Sequence, residues 1–167
     1  MIQIEIIKGD ITQSHVDAIV NAANTTLMGG GGVDGAIHCA AGPELDAACE
    51  ALHGCKTGEA KTTPGFNLPA KFIIHTPGPI WHDGKNNEDE LLKNSYFNSL
   101  KEAEAHQCHT VDFPSISTGV YHFPLLRAAK IALNTISNFP SYSIEKVRIV
   151  AFDLQTKAAY DYALTLS

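Results

Sequence analysis

Asn24 and Asp34, two polar side chains whose types suit contact with a sugar, lie on either side of the glycine run at residues 29–32. A neutral amide donates to sugar hydroxyls and accepts from them, and a carboxylate accepts from a hydroxyl or orients a water. Glycine lets another backbone or a ligand come very close. A flexible surface turn would also contain glycines but would not need these polar neighbours, so the pattern favours contact with a ligand.

The distribution of cations indicates how this segment would hold an anion. Residues 9–55 contain no Lys or Arg, so an anion bound there would rest on backbone N–H groups and a helix N-terminus. Residues 115–121 form a second loop without Lys or Arg, between a predicted strand and a predicted helix. Its Ser-Thr-Gly sequence alone is common turn chemistry. Two such loops facing each other could hold a diphosphate.

Gly30, Gly32 and Gly35 match the dinucleotide fingerprint G-x-G-x-x-G, which would indicate a nicotinamide-dependent oxidoreductase. In that motif the glycines form the tight turn directly after the first strand, whereas here residues 24–28 intervene and the run follows the second strand. A P-loop would need Lys and then Ser or Thr after the glycines. The spacing therefore disfavours both motifs.

Two further residues have a structural and a functional interpretation. Asp10, at the end of the first predicted strand, could accept from an adenine amino group or cap the following turn. Phe152, at the end of the last predicted strand, could stack on a base or belong to the core. The residue types alone leave both pairs of alternatives open.

Histidine and cysteine could form a metal site or a thiol enzyme, and the densest cluster is His106-Gln107-Cys108-His109. It follows a predicted helix, whose C-terminus favours His, and no second cluster offers matching ligand spacing. Cys39, beside His38, is predicted to be a buried helix residue rather than a nucleophile. The four cysteines lack paired spacing, so we expect free thiols and no metal.

Bulk composition limits the class of protein. A chain of 167 residues that is 44% hydrophobic has the size and core of one domain, predicted to span residues 1–167. A net charge of -6 argues against a protein that coats nucleic acid electrostatically. The sequence shows no signal-peptide pattern and no apolar window of bilayer-spanning length, so we expect a soluble, cytoplasmic protein without membrane contact.

Strand-like and helix-like segments alternate from end to end, which is typical of a layered α/β domain. Strands are predicted at residues 2–7, 18–20, 72–75, 111–113 and 147–152, with period-two alternation in the first. The loops after the first, second and fourth of these strands are polar or glycine-containing. Loops at the carboxyl ends of neighbouring strands form the usual ligand crevice of such a sheet, so the site is predicted there.

Helices are predicted between the strands. One begins near Val33, and another begins with a capping box formed by Asn87 and Glu90. A third has Pro124 as its first residue and runs to Pro140. The last covers residues 156–166. Buried stripes are predicted on the second helix (Leu92, Tyr96, Leu100, Ala103) and on the third (Leu126, Ala129, Leu133, Ile136).

Several motifs in order together resemble the macrodomain family, most closely its MacroD-type branch of ADP-ribosyl hydrolases. They are Gly9-Asp10-Ile11-Thr12, Asp17-Ala18-Ile19-Val20-Asn21-Ala22-Ala23-Asn24, residues 29–38, Pro43 and Ile116-Ser117-Thr118-Gly119-Val120-Tyr121. Further agreement at residues 68–71, 74–76 and 78–81 extends the likeness through nearly the whole chain.

The resemblance implies a three-layer α/β/α fold around a mixed, mostly parallel sheet, with a cleft for ADP-ribose. It implies that Asp10 and Ile11 receive the adenine, that Phe152 stacks on it, and that Asn24 binds the distal ribose. It implies that the diphosphate lies between Gly32 and Val33 on one side and Ser117, Thr118, Gly119, Val120 and Tyr121 on the other. Asp34 would be the catalytic acidic side chain, with Asn24 beside it.

The same resemblance implies hydrolysis of O-acyl esters: removal of mono-ADP-ribose from Asp or Glu side chains and deacetylation of O-acetyl-ADP-ribose. It implies no metal or organic cofactor, and as partners ADP-ribose, O-acetyl-ADP-ribose and mono-ADP-ribosylated proteins. The main alternative is a module that binds ADP-ribose without hydrolysing it.

Physical chemistry qualifies the role of Asp34. A free Asp has a pKa of about 3.9, and a helix N-terminus would favour its charged form, which would make it a feeble general base. Two hypotheses follow: Asp34 takes the proton directly, or it orients the ribose and a water while a substrate phosphate oxygen assists.

Two positions also depart from the family's usual pattern, since Cys39 replaces a basic residue and His122 replaces a glycine.

Overall fold

Alternating apolar residues build a central sheet with two buried faces. The structure, a computed structural model, describes residues 1–166. The strands in these residues are β1 (Gln3–Lys8), β2 (Ala18–Ala23), β3 (Lys61–Pro64), β4 (Phe72–Pro77), β5 (Thr110–Phe113) and β6 (Lys146–Ala151). They form one sheet in the order β1-β6-β5-β2-β4-β3, in which β3 runs antiparallel to β4 and the other neighbours are parallel.

Helices cover both faces of this sheet. They are α1 (Gly32–Ala41), α2 (Pro43–Ala51), α3 (Glu88–Ala105), α4 (Leu125–Ser137) and α5 (Leu154–Thr165). Successive strand residues point to opposite faces, so buried Ile19 packs in one layer with Ile37 of α1, while buried Val20 packs in the other with Leu92 of α3. Each such side chain contributes about 1.5–3 kcal/mol by leaving water. The predicted three-layer α/β/α fold with a mixed, mostly parallel sheet is confirmed.

Most predicted elements exist with ends shifted by one or a few residues, but several details are wrong, and helix α2 was not predicted. Pro124 precedes α4 rather than being its first residue, and Leu126 is 37% exposed rather than part of the buried stripe. The antiparallel edge strand β3 was not predicted, because its Lys-Thr-Thr-Pro sequence lacks an apolar alternation. The buried stripe of α3 is confirmed for all its four residues.

The predicted capping box at the start of α3 is also wrong. Asn87 adopts a left-handed conformation with φ of 60°, and its side chain makes no capping hydrogen bond. Instead the buried carboxylate of Glu88 accepts four backbone N–H groups. Its Oε2 accepts from His82 at 2.8 Å, Asp83 at 3.2 Å and Gly84 at 3.1 Å, and its Oε1 accepts from Asn86 at 2.6 Å. One side chain therefore organises the loop before α3.

Glu88→Gln should make stability less dependent on acid pH than in the wild type. Burial raises the pKa of Glu88, but the four N–H donors outweigh it and lower the pKa from 4.5 to about 2. A lowered pKa contributes stability above the unfolded-state value, and this is lost as the pH falls through the folded-state value. Urea midpoints of the two proteins should therefore converge between about pH 5 and pH 2. Parallel curves would contradict this role, and Glu90→Gln, an exposed glutamate two residues further along α3, is the matched control.

No helix within residues 1–166 combines the length and apolarity that crossing a bilayer requires. The cellular compartment stays a prediction.

Candidate functional site

Three polar loops meet at one edge of the sheet. Because β1, β6, β5, β2 and β4 are parallel, their carboxyl ends lie at the same edge. The loop after β2 carries the glycine run, the loop after β5 carries residues 115–122, and the loop after β1 carries Asp10. Strands β2 and β5 are hydrogen-bonded neighbours. The predicted placement of these loops at one edge is confirmed.

Asn24 shapes the loop that follows β2. Its Oδ1 accepts from Leu27 N at 3.0 Å and from Thr26 Oγ1 at 2.7 Å, and its Nδ2 donates to Gly29 O at 2.8 Å. These contacts use both lone pairs of the Asn24 amide oxygen and one of the two N–H donors of its amide nitrogen. Asn24 therefore has a structural role in this loop and keeps one donor for a ligand.

Asp34 lies in the first turn of α1 and is only 5% exposed. Its Oδ1 accepts from Asn21 Nδ2 at 2.9 Å. Its Oδ2 and Asn24 Nδ2 each lie 3.6 Å from the point that a Cβ on Gly30 would occupy. One carboxylate oxygen is therefore held from inside the protein, while the other shares the environment of Gly30 with Asn24.

The pKa of Asp34 moves in the opposite direction to the one expected from a helix N-terminus. Burial raises it, and the hydrogen bond from Asn21 and the nearby His38 only partly offset the burial. A raised pKa makes the ionised carboxylate a stronger base than a free Asp. The expectation that the helix N-terminus would lower this pKa is therefore wrong in direction, because burial outweighs it.

Sequence reasoning missed the side chains that surround Asp34. His38 Nε2 lies 3.3 Å from Asp34 Oδ1 but outside hydrogen-bond geometry, and His38 Nδ1 lies 2.7 Å from Asp46 Oδ1. The helical i, i+4 spacing of Asp34 and His38 was a signal that could have found this pair. Asn21 appeared in the sequence only as part of a motif.

Glycine is required where α1 begins. Gly32 has φ of 61°, a left-handed conformation that other residues adopt with strain. A Cβ on Gly35 would collide with the carbonyl oxygen of Gly30. The run therefore folds back tightly onto the first turn of α1, whose leading N–H groups, including those of Gly32 and Val33, lack intrahelical partners.

The loop after β5 is anchored to the core through hydroxyl groups. Ser115 Oγ lies 2.8 Å from the OH of Tyr160 and 2.7 Å from Thr118 Oγ1, and Ile116 N donates to the OH of Tyr96 at 3.2 Å. Both tyrosines are fully buried. The loop is thereby fixed to α3 and α5.

Within this loop Ser117 has φ of 67°, and its buried Oγ has no hydrogen-bond partner in residues 1–166. A Cβ on Gly119 would meet open space, Val120 is 85% exposed and Tyr121 is partly exposed. His122 adopts φ of 60°, so it occupies a left-handed position, which glycine adopts with less strain.

The edge beyond β1 and β6 holds the remaining predicted site residues. Asp10 caps the 3-10 turn Ile11–Gln13 through Oδ1, which accepts from Thr12 N at 3.0 Å. Ile11 is buried, whereas Phe152 is 88% exposed just after β6, so it is not a core residue. A cavity of about 350 Å³ is lined by Asp10 and Arg148 among others, and Asp34 is not part of its lining.

Within residues 1–166 the cysteines and histidines form neither a disulfide nor a group that could hold a metal. All four cysteines are free; Cys49, Cys55 and Cys108 are buried, and burial raises the pKa of each to about 11. Cys39 is exposed, so the prediction that it is buried is wrong. No group of three or more His, Cys, Asp or Glu residues arranged to hold a metal occurs in the part of the chain that is described.

Comparison with known proteins places this geometry in a family. The Macro domain model matches residues 20–132. A macro domain-containing protein of Lactiplantibacillus plantarum is 60% identical over 167 residues, covering 98% of this chain and 97% of that protein. A protein of Escherichia fergusonii named O-acetyl-ADP-ribose deacetylase is 51% identical over 169 residues, covering 98% and 96%.

Solved structures of macrodomains share the fold of this chain. A mutant of the Oceanobacillus iheyensis macrodomain with ADPR matches with a TM-score of 0.93 at 45% identity, covering 98% of this chain and 92% of that chain. The Trypanosoma brucei macrodomain in complex with ADP-ribose matches with a TM-score of 0.89 at 36% identity, covering 97% and 69%. Sequence, fold and the arrangement of the three loops lead to one conclusion: the chain belongs to the macro domain family.

Proposed function

We propose that this protein binds ADP-ribose at the carboxyl edge of the sheet and hydrolyses O-acyl esters at its distal ribose. The adenine would lie at Asp10, Ile11 and Phe152. The diphosphate would lie between the start of α1 and the loop after β5, and the distal ribose would lie beside Asn24 and Asp34. Contacts to the diphosphate would come from Gly32, Val33, Ser117, Thr118, Gly119, Val120 and Tyr121.

The chemistry of the two facing loops supports an anionic ligand. They contain no Lys or Arg, so the donors available to a diphosphate are backbone N–H groups, the N-terminus of α1 and the unpartnered hydroxyl of Ser117. The exposed ring of Phe152 lies in the loop after β6, the strand beside β5, and suits stacking on a base. Two relatives of the same fold that were solved with ADP-ribose add support.

The observation that carries the hydrolase proposal is the two-sided environment of Asp34. Its inner oxygen is held by Asn21, while its other oxygen lies near Asn24 by Gly30. In the reaction Asp34 accepts a proton from a water, whose oxygen bonds to the ester carbonyl carbon. The bond from that carbon to the ribose oxygen breaks, and the ribose oxygen takes the proton from Asp34. ADP-ribose and the carboxylic acid leave, and the acid loses its proton to solvent.

The substrates are esters of one kind: O-acetyl-ADP-ribose and mono-ADP-ribose on Asp or Glu side chains. Both place an acyl carbon beside the distal ribose, so one carboxylate and one water serve both. The relative named O-acetyl-ADP-ribose deacetylase, 51% identical, supports the first of the two.

Incubation with O-acetyl-ADP-ribose and with a glutamate-modified mono-ADP-ribosylated protein tests this function. We expect release of ADP-ribose from both, and a rise in melting temperature with ADP-ribose but not with NAD or zinc. Binding of ADP-ribose without release from either substrate would make the protein a reader of the modification and would overturn the hydrolase assignment.

A further inference from the structure

A buried chain of polar side chains runs from Asp34 to the edge of the sheet, away from the cleft. Asn21 Nδ2 donates to Asp34 Oδ1 at 2.9 Å and lies 3.2 Å from His75 Nδ1. His75 Nε2 lies 2.9 Å from Thr63 Oγ1. Asn21 and His75 are completely buried and Thr63 is 4% exposed, so water does not compete for these contacts.

The chain connects three strands at positions fixed by the sheet. Asn21 of β2 is the direct neighbour of His75 of β4 in the parallel register. Thr63 of β3 pairs with Ile73, two residues before His75, so it is a diagonal neighbour of His75 on the same face of the sheet. Side chains on one face of neighbouring strands meet in this way. The contacts therefore follow from strand pairing and do not depend on a flexible loop.

Hydrogen-bond capacity determines which way the Asn21 amide points. An amide nitrogen has two N–H donors, and here both have acceptors: Asp34 Oδ1 and His75 Nδ1. The Oδ1 of Asn21 is buried without a partner in residues 1–166. Turning the amide over would place this oxygen against the carboxylate of Asp34, so the observed orientation is preferred while Asp34 is ionised.

The same contacts determine the tautomer of His75. Nδ1 must be unprotonated to accept from Asn21, so the proton lies on Nε2 and is donated to Thr63 Oγ1. Burial lowers the pKa of His75 to about 3, with a further contribution from His38, so the ring is neutral near pH 7.

We propose that His75, backed by Thr63, is a positioning residue for Asp34: by accepting at Nδ1 it fixes the Asn21 amide so that its nitrogen, not its oxygen, faces the carboxylate. This role deepens the proposed hydrolase function and rests on it. His75 and Thr63 touch neither the cleft nor the ester; they act on Asp34 only through Asn21.

Other ionisable groups around Asp34 stay the same when this chain is altered. The Nε2 atom of His38 in α1 lies near Asp34 Oδ1, and its Nδ1 atom contacts Asp46 of α2. Cys49 of α2 lies 3.8 Å from His75 Nε2, and burial raises its thiol pKa to about 11, so it carries no charge near pH 7. A change at Thr63 therefore reaches Asp34 through His75 and Asn21.

Thr63→Val tests the chain because it removes the acceptor of the Nε2 proton with little change in volume. The tautomer protonated at Nδ1 then becomes competitive, the Asn21 amide turns over, and Asp34 loses a donor. The matched control is Thr135→Val, which is equally buried but whose hydroxyl donates to Ile131 O within α4.

Nuclear magnetic resonance gives a readout that does not depend on turnover. In the wild type, nitrogen-15 shifts should show His75 unprotonated at Nδ1 and protonated at Nε2. In Thr63→Val, the carbon-13 titration of the Asp34 carboxyl should move up by about one pH unit relative to Thr135→Val. The acid limb of the kcat profile should move with it, with KM unchanged.

A proton on His75 Nδ1 in the wild type would overturn the proposal without any variant. An unchanged Asp34 titration in folded Thr63→Val would overturn it as well. If the protein hydrolyses neither ester, the proposed function fails, while the resonance measurements still decide the orientation of the Asn21 amide.

Discussion

Asp34→Asn should lower kcat for O-acetyl-ADP-ribose by about a hundredfold to ten-thousandfold, the usual contribution of a general base. The amide keeps the shape of the side chain and can still accept from Asn21 Nδ2 through its oxygen, but it cannot take a proton from water. Affinity for ADP-ribose should change only a few-fold, because the neutral side chain still fits beside Gly30. Steady-state kinetics and calorimetric titration measure the two effects.

The stability of Asp34→Asn should not fall along with its kcat. Because burial raises the pKa of Asp34, the ionised form is less favourable in the folded state than in the unfolded state, and its cost is present as the pH rises through the folded pKa. The melting temperature of Asp34→Asn near pH 7 should therefore not fall below that of the wild type. Asp161→Asn, in a surface pair with Lys157, is the control. Near-normal turnover in Asp34→Asn would exclude the direct base and leave Asp34 as a positioning group.

Arg148→Met should destabilise the fold by about 3–5 kcal/mol, the usual effect of leaving a buried charge without its partner. Arg148 Nε and Nη2 donate to the two carboxylate oxygens of Asp112 at 2.9 and 2.6 Å, and the Asp112 side chain is only 1% exposed. These residues are neighbours in the register of β5 and β6. Denaturation in urea, with m-values compared, measures the loss.

The double variant Arg148→Met with Asp112→Val should recover most of this stability, because an apolar pair no longer leaves a buried charge. Lys157→Met, which breaks an i, i+4 surface pair, should lose no more than about 0.5 kcal/mol. Equal losses in Arg148→Met and Lys157→Met would contradict the assignment of the Arg148–Asp112 pair as a structural ion pair.

The local sequence pattern was sufficient to predict the strands and helices whose structure depends on residues close together in the chain. The adjacent residues Ile19 and Val20 supply opposite faces of the sheet, and the spacing from Leu92 to Ala103 matches one buried side of α3. The polar loops were placed correctly because parallel strands end at one edge.

Features that depend on pairing between distant segments were not predictable in the same way. Strand β3 forms because β4 offers an edge, not because Lys61–Pro64 has a strand pattern. The contact between Asn21 and His75 joins residues 54 apart in sequence. Burial raises the pKa of Asp34 although the residue lies in the first turn of a helix, and its position in the sequence alone would not indicate this shift.

The central claim is that water cleaves an acyl ester of ADP-ribose in the cleft beside Asp34. Turnover of O-acetyl-ADP-ribose in water labelled with oxygen-18, followed by mass spectrometry of both products, tests it most directly. We expect ADP-ribose to be released unlabelled and the acetate to carry one labelled oxygen. Absence of release, or label in the ADP-ribose instead of the acetate, would contradict it.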